Sequence, residues 1–409
     1  MSVGTFLSPC GSLEEAAMKA RTIALLVLAF AVAVVPHAIF ATLWFGGGGL
    51  QAPAMPQFAG GGFAQDRAIQ PVQPEPFFGG PVLALPQDRA RTNEELKGLR
   101  GPVVQAREVR ISGPHTQGNL TVFLIHGPDT MQDQKIIPLQ GALEQHLAVV
   151  HEGAVRIDNR AGVPVFVQAG DIIKGGNQDR VLPYDYLITS GRQNLPVNAL
   201  CVEAGRSRPR GNEISHSFQT STEQLPGKKL HLAARGHSQA AVWDGIRQTQ
   251  HALSRNVGGS VQAPQSQTSL QLTLEHQRVR QAVQTYFDKL AALPVAEKDV
   301  IGMAVAINGE IQGVDLYASS SLFREMWPKL LRSSAVAALA EQRAGASATP
   351  PTVEAIERFL GSAEQAAGGR QTHADGTLVL CQEAAGSILF DTCDPARQNL
   401  VLHRSILAK

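Results

Sequence analysis

The sequence predicts an α+β protein, with an antiparallel, β-rich core (a sandwich or open barrel) packed by helices and preceded by one N-terminal transmembrane helix. Three observations carry this expectation. Short apolar runs alternating with period two crowd residues 103–203, helical stripes follow in 239–293, and a run of 23 uncharged residues stands near the start.

That run, Ile23 to Phe45, would form a helix about 34 Å long, enough to cross a bilayer. Lys19 and Arg21 precede it and the first charge after it is Asp66, so the basic bias places residues 1–22 in the cytoplasm and the folded part outside, periplasmic or extracellular. The expected partner is therefore a membrane, held by a single anchor. A cleaved signal peptide starting at Met18 is the alternative, and it exports the remainder equally. Residues 46–101 are rich in Gly, Pro, Gln and Ala and read as a flexible linker.

A core domain is expected over 102–342. VVQAREVRIS and NLTVFLIH alternate around the turn residues Gly113-Pro114 and predict two strands. IPLQGALEQHL fits a short helix, and PVFVQ, DII, VLPYDYLIT and LPVNALCVE predict further strands too closely spaced for intervening helices, which implies antiparallel pairing. After Arg206 the chain reads as polar and irregular until QAAVWDGIRQTQHAL, where Val242, Ile246 and Leu253 form a helical stripe. A second helix is expected over Leu274 to Leu293, with Val279, Val283, Tyr286 and Leu290 on one side and Pro294 ending it.

Asn308-Gly309 joins two alternating segments as a two-residue hairpin and pairs Ile307 with Glu310. That register puts Met303 and Val305 on one face with Val314 and Leu316, and Gly302, Ala304 and Ala306 on a bare face with Gly313 and Asp315. A bare face admits a close helix or a ligand, and the helix beginning at Ser320 is the expected cover. Residues 343–409, one helix and several strands, are expected as a small α/β appendage.

Composition excludes several functions. With 44% apolar and 17% charged residues, wholesale disorder is ruled out, and 36 basic against 35 acidic residues give no general field for nucleic acid. Four cysteines are too few for a disulfide scaffold; whether Cys381 and Cys393 pair is open, since a hairpin centred near Ala385 sets Cys381 opposite Leu389. No Cys/His spacing suggests zinc, and His231 and His237 bracket a segment without an acidic partner at ligand spacing, so neither metal nor cofactor is expected. No Walker loop, GxGxxG, GxSxG or HExxH is present.

The densest polar turn is AGDIIKGGNQDRVLPYD. Gly175 and Gly176 permit positive φ and close backbone approach, while Lys174, Asn177, Gln178, Asp179 and Arg180 supply donors and acceptors that could cradle an anion or a sugar-like ligand. The same residues fit a plain hairpin around a buried Asp–Arg pair.

LTVF at 120–123, GDIIKGGNQDRVL at 170–182, CVEAGR at 201–206 and QAAVW ending at Trp243 together resemble the ARG and rhodanese-phosphatase-superfamily-associated protein domain family over about Asn119 to Ala340. The chain departs from the family pattern where SRPR follows CVEAGR in place of an aromatic. The resemblance implies a genomic association with ADP-ribosylglycohydrolases and hence ADP-ribose-like or NAD-derived ligands, without a mechanism. It also marks Gln178, Asp179 and Arg180, and Cys201, Glu203 and Arg206, as site residues.

Asp179 and Glu203 could act as an acid/base pair if their strands meet, with Arg180 or Arg206 gripping an anionic group. Two functions are thus in competition. One is a noncatalytic binding module for a small polar ligand or partner protein near the GGNQDR loop; the other is a hydrolase of glycosidic or phosphate-containing substrates using Asp179 and Glu203. An open cleft beside both carboxylates favours the second, and sealed, mutually satisfied side chains favour the first.

Overall fold

Nine antiparallel strands form the main sheet, in the order Arg89–Arg91, Gly369–Ala374, Thr377–Glu383, Ser387–Asp394, Leu400–Ala408, Glu310–Tyr317, Val300–Ile307, Leu120–His126 and Arg110–Gln117. The computed structural model describes residues 89–131, 134–343, 349–374 and 377–409. The chain is α+β with largely antiparallel sheets. Val300–Ile307 is buried along its whole length, as its nearly unbroken apolar run VIGMAVAI requires of a strand covered on both faces. One face, with Leu120, Val122, Met303 and Val305, packs on the long helix Ser320–Glu341 through Phe323, Met326, Leu330 and Leu331. The other, with Phe123, Ile125, Ala304 and Val314, packs on helix Val353–Glu364 through Ile356 and Leu360. Each of the larger of these side chains contributes about 1.5–3 kcal/mol by its burial.

A second sheet of seven short strands has Ser217–Gln224 near its middle, between Ala148–His151 and Asp171–Gly175. It has its own core of Val150, Ile157, Ile173 and Phe218. A third sheet has three short strands, including one parallel pair, Ile137–Pro138 with Val165–Val167.

Several expectations are corrected. The C-terminal segment is no appendage: its strands belong to the nine-stranded sheet, and Leu400–Ala408 lies in the sheet interior. The linker ends earlier than expected, because Arg89–Arg91 pairs with 369–371 and Thr92 caps helix Asn93–Leu99 in a reciprocal capping box with Glu95. The polar segment after Arg206 holds strand Ser217–Gln224 and helix Gly227–Arg235. The helix expected from Leu274 is broken at His276, whose extended backbone ends Leu270–Glu275 and whose side chain caps Gln277–Leu290.

The hairpin register also differs. Ile307 does face Glu310, but a β-bulge at Gln312 shifts the ladder, so Val305 pairs with Gly313 and Met303 with Asp315. The small residues therefore divide between the faces: Gly313 and Asp315 join Met303 and Val305 under the long helix. Cys381 pairs across its ladder with Phe390 and Cys393 with Leu378, which sets the two cysteines apart.

The expected transmembrane architecture is corrected as well. No helix among the described residues is long and apolar enough to cross a membrane. The longest, Ser320–Glu341, carries Arg324, Glu325, Lys329 and Arg332. Residues 23–45, where the anchor or signal segment was expected, lie outside the described residues.

Candidate functional site

The GGNQDR turn closes a hairpin in which Ile173 pairs with Arg180 and Ile172 with Val181. Gly176 sits at φ +55°, a conformation that favours glycine, and a Cβ there would push aside the Glu152 carboxylate, 2.8 Å away. The hairpin turns Asp179 inward beside Glu203, and both are 0% exposed.

Arg206 and Arg210 neutralise this pair. Arg206 Nε lies 2.5 Å from Glu203, and Arg210 Nη2 lies 2.7 Å from Asp179 and 2.8 Å from Glu213. Asp179 also accepts from the Gly175 N–H at 2.9 Å and from the Ser269 hydroxyl at 3.2 Å, while Arg206 donates to the Gly176 carbonyl at 2.9 Å. Burial pushes the Asp179 carboxyl above the usual carboxylate range, and Arg210 acts against that push. The two sequence motifs do meet, as strand pairing of Cys201 with Arg180 requires. What they build is an ion-pair network in which both carboxylates are fully buried.

The remaining residues expected at this site are engaged in the same way. Gln178 donates to the Glu203 carbonyl at 3.1 Å and accepts from the Cys201 thiol, and Arg180 contacts the Cys201 sulfur. Burial raises the Cys201 pKa, contrary to what a nucleophilic thiolate needs. Lys174 pairs with Glu275 at 2.7 Å, and Asn177 is exposed with its N–H on Glu152. Gln239 brackets Cys201, accepting from its N–H and donating to its carbonyl, each at 2.8 Å. Trp243 packs against the main core.

An open cleft lies elsewhere, between the main sheet and two helices. Its floor is the bulged hairpin and the C-terminal strand, through Val305, Gln312, Asp315 and Ser405. Helix Gly227–Arg235 provides Lys228, His231 and Arg235, spaced i, i+3, i+7 along one face, and the long helix provides Ser333 and Ser334. Gln168 and Gln224 complete the polar lining, around a cavity of about 70 Å³.

A buried relay stands behind this cleft. His403 Nδ1 lies 2.7 Å from Asp185 and Nε2 lies 3.1 Å from Asp315, whose side chain remains 23% exposed. Burial alone would discharge His403, but the Asp185 carboxylate outweighs it and lifts the pKa to about 9. Asp185, for its part, is held far below the ordinary carboxylate range: burial opposes its charge, and His403 overcomes that opposition. Tyr317 stacks on the imidazole at 4.5 Å and donates to Gln168 at 2.6 Å.

His231 differs from His403. Its Nε2 donates to the Leu225 carbonyl at 2.9 Å, which leaves Nδ1 as an acceptor, and burial lowers its pKa to about 4. Arg235 stacks over Phe390 at 4.0 Å, and its Nε is buried without a hydrogen-bond partner. Gln312 is 6% exposed; its amide nitrogen donates to the Glu310 carbonyl, which fixes the orientation of the amide, and its Oε1 has no partner.

Among the described residues, His126, Glu297 and Asp299 are grouped closely enough to hold a metal ion, their ligand atoms lying within 4.8 Å of one another. They are already paired: His126 bonds Asp299 at 3.0 Å and Ser112 at 2.8 Å, and Arg110 reaches both carboxylates. Sequence reasoning missed the cleft and Arg210. The available signals were the 228/231/235 stripe and a second arginine four residues beyond Arg206.

A family model described as the ARG and Rhodanese-Phosphatase-superfamily-associated Protein domain matches residues 108–389. The match spans more than half of the chain, and the chain belongs to that family. No match is found among curated proteins or among solved structures.

Proposed function

We propose that this member of the ARG and Rhodanese-Phosphatase-superfamily-associated Protein domain family is a binding module for a small polar ligand, taken into the cleft beneath helix Gly227–Arg235. The observation that carries the reading is a contrast in access. At the GGNQDR turn Asp179 and Glu203 are fully buried and ion-paired to Arg206 and Arg210, whereas the cleft is open and lined by charged and polar side chains, among them Lys228, His231, Asp315 and Ser333. A concave site with a few convergent polar groups is the place where a small polar molecule binds.

Hydrolysis by Asp179 and Glu203 draws no support from this geometry, because substrate and water have no access to carboxylates that are 0% exposed. Their contacts hold strand ends together. The residues shared with the family pattern thus serve the framework on which the cleft is built.

The test is a thermal-shift screen of the full chain against nucleotides, ADP-ribose, sugars, amino acids and small organic acids. A ligand at a hundred times its Kd stabilises by about 2.7 kcal/mol. The reading expects at least one compound class to raise the melting temperature, with the shift lost in Lys228→Ala and retained in Lys174→Ala. Stabilisation that survives Lys228→Ala but vanishes on altering the GGNQDR turn would move the site back to that turn.

A further inference from the structure

We propose that His126, Glu297 and Asp299, none of which lines the cleft, form a binding site for a divalent transition-metal cation of the Zn²⁺ or Mn²⁺ kind. Two ladders bring them together. His126 ends its strand between Arg110 on one side and Val300 on the other, so Asp299, the residue before Val300, comes to lie against the imidazole. No spacing in the sequence shows the group, because its members come from separate segments.

The distances suit a cation. His126 Nδ1 stands 3.0 Å from an Asp299 oxygen and 3.4 Å from a Glu297 oxygen, and all three donor atoms lie within 4.8 Å of one another. Ligand bonds of about 2.0–2.2 Å set neighbouring donors about 2.8–3.6 Å apart in a tetrahedral or octahedral shell. Small side-chain adjustments are therefore enough to admit the ion. One imidazole nitrogen beside two carboxylates selects the class of metal, since Mg²⁺ and Ca²⁺ take all-oxygen shells.

The inner half of the site is fixed. The His126 side chain is 1% exposed, and its far nitrogen, Nε2, lies 2.8 Å from Ser112 Oγ, the kind of outer contact that orients a metal-bound histidine and turns Nδ1 to the ion. The acidic segment is pinned through its backbone: Gly127 N–H donates to the Asp299 carbonyl at 3.0 Å, and Arg324 donates to the Glu297 and Lys298 carbonyls at 3.3 and 2.7 Å. Both carboxylate side chains remain for the ion.

The outer half is open, since Glu297 and Asp299 are about half exposed and leave room for water on the metal's remaining positions. Arg110 stands in the way. Its Nη2 lies 3.5 Å from Glu297 and 3.6 Å from Asp299 on an exposed side chain, and contacts of that length are loose. A dication displaces this guanidinium and takes the place of the Nδ1 proton, which passes to solvent.

Calorimetric titration of the full chain, first stripped with a chelator, uses Zn²⁺, Mn²⁺ and Mg²⁺. Zn²⁺ or Mn²⁺ is expected to bind about tenfold or more tightly than Mg²⁺. The chain has twelve histidines, so variants must locate the ion. Asp299→Asn and Glu297→Gln alter exposed positions that the fold tolerates, and each should weaken binding by about 10–100-fold, with Ser112→Ala weaker by about tenfold. Arg110→Gln should act in the opposite direction and tighten binding several-fold, a gain that a cluster serving only as an ion pair would not give. Co²⁺ bound to the unaltered protein should show a visible absorption band that His126→Ala lacks. Binding that is absent from the unaltered protein, or unchanged in both carboxylate variants, overturns the proposal. Neither result bears on the cleft.

Discussion

Asp315 and His403 share a 3.1 Å contact that joins the exposed cleft to a fully buried carboxylate, Asp185, on the far side of the same imidazole. A charge placed in the cleft is therefore felt in the interior, and the ionisation of His403 is felt in the stability of the whole domain.

His403 is raised in the folded state to about 9 from an ordinary value of 6.5. A group of this sign contributes stability that is fully present below about pH 6.5 and lost as pH rises through 9, amounting to about 3 kcal/mol. Urea unfolding between pH 6 and 10 should show that decline, and His403→Gln should flatten it. A flat profile in the unaltered protein would refute the protonated relay.

Glu223 also loses stability with rising pH, but because its charged form is the disfavoured one. It is buried in the second sheet, and burial lifts it from 4.5 to about 7 despite Arg332 nearby. Its ionised form disfavours the fold, so stability falls as pH rises from about 4.5 to 7, by about 3 kcal/mol at most. Glu223→Gln should remove that loss and be the more stable protein at pH 8. Should it be less stable there, the carboxylate is ionised and paired in the native state.

Arg210 holds Asp179 and reaches Glu203 and Glu213 from a 10% exposed position. Arg210→Ala leaves buried carboxylates uncompensated and should cost about 3–5 kcal/mol. Combining it with Asp179→Asn should recover part of that loss in a double-mutant cycle. Strict additivity would mean that the two side chains are not coupled.

Gly170 stands at φ +97°, where an added Cβ would also run into the His231 ring. Gly170→Ala should destabilise by about 1–3 kcal/mol from backbone strain alone, and it should shift the His231 Hε1 resonance. In a His231→Ala background the steric share disappears and the penalty shrinks. An unchanged penalty would place the whole cost in the backbone.

Much of the framework was legible because its signals are local. Leu120, Val122 and Leu124 alternate as a strand must, Asn308-Gly309 closes a hairpin, and Leu322, Phe323, Met326 and Leu330 mark the face of the long helix. The bulge at Gln312 was not legible: one added residue leaves no trace in composition, yet it exchanges which side chains share a face. Strand Ser217–Gln224 was also hidden, because its interior positions hold Ser221, Glu223 and Gln224, and Ser221 is satisfied by Gln271, fifty residues away. Asp179 and Glu203 were visible as a pair. Their closure by Arg210 and Ser269 depends on segments that carry no hydrophobic pattern, and the cleft was missed because the helix forming its wall spans nine residues in a polar stretch.

Leu400–Ala408 lies between Ser387–Asp394 and Glu310–Tyr317, although about ninety residues separate it in sequence from the latter. Until it is in place, Glu310–Tyr317 presents a raw edge where that neighbour belongs, and exposed edges invite pairing with other chains. A premature stop at Leu400 would therefore do more than trim a tail: it would cut the main sheet in two, remove His403 from its carboxylates, and hand an aggregation-prone nascent product to the cell's quality control.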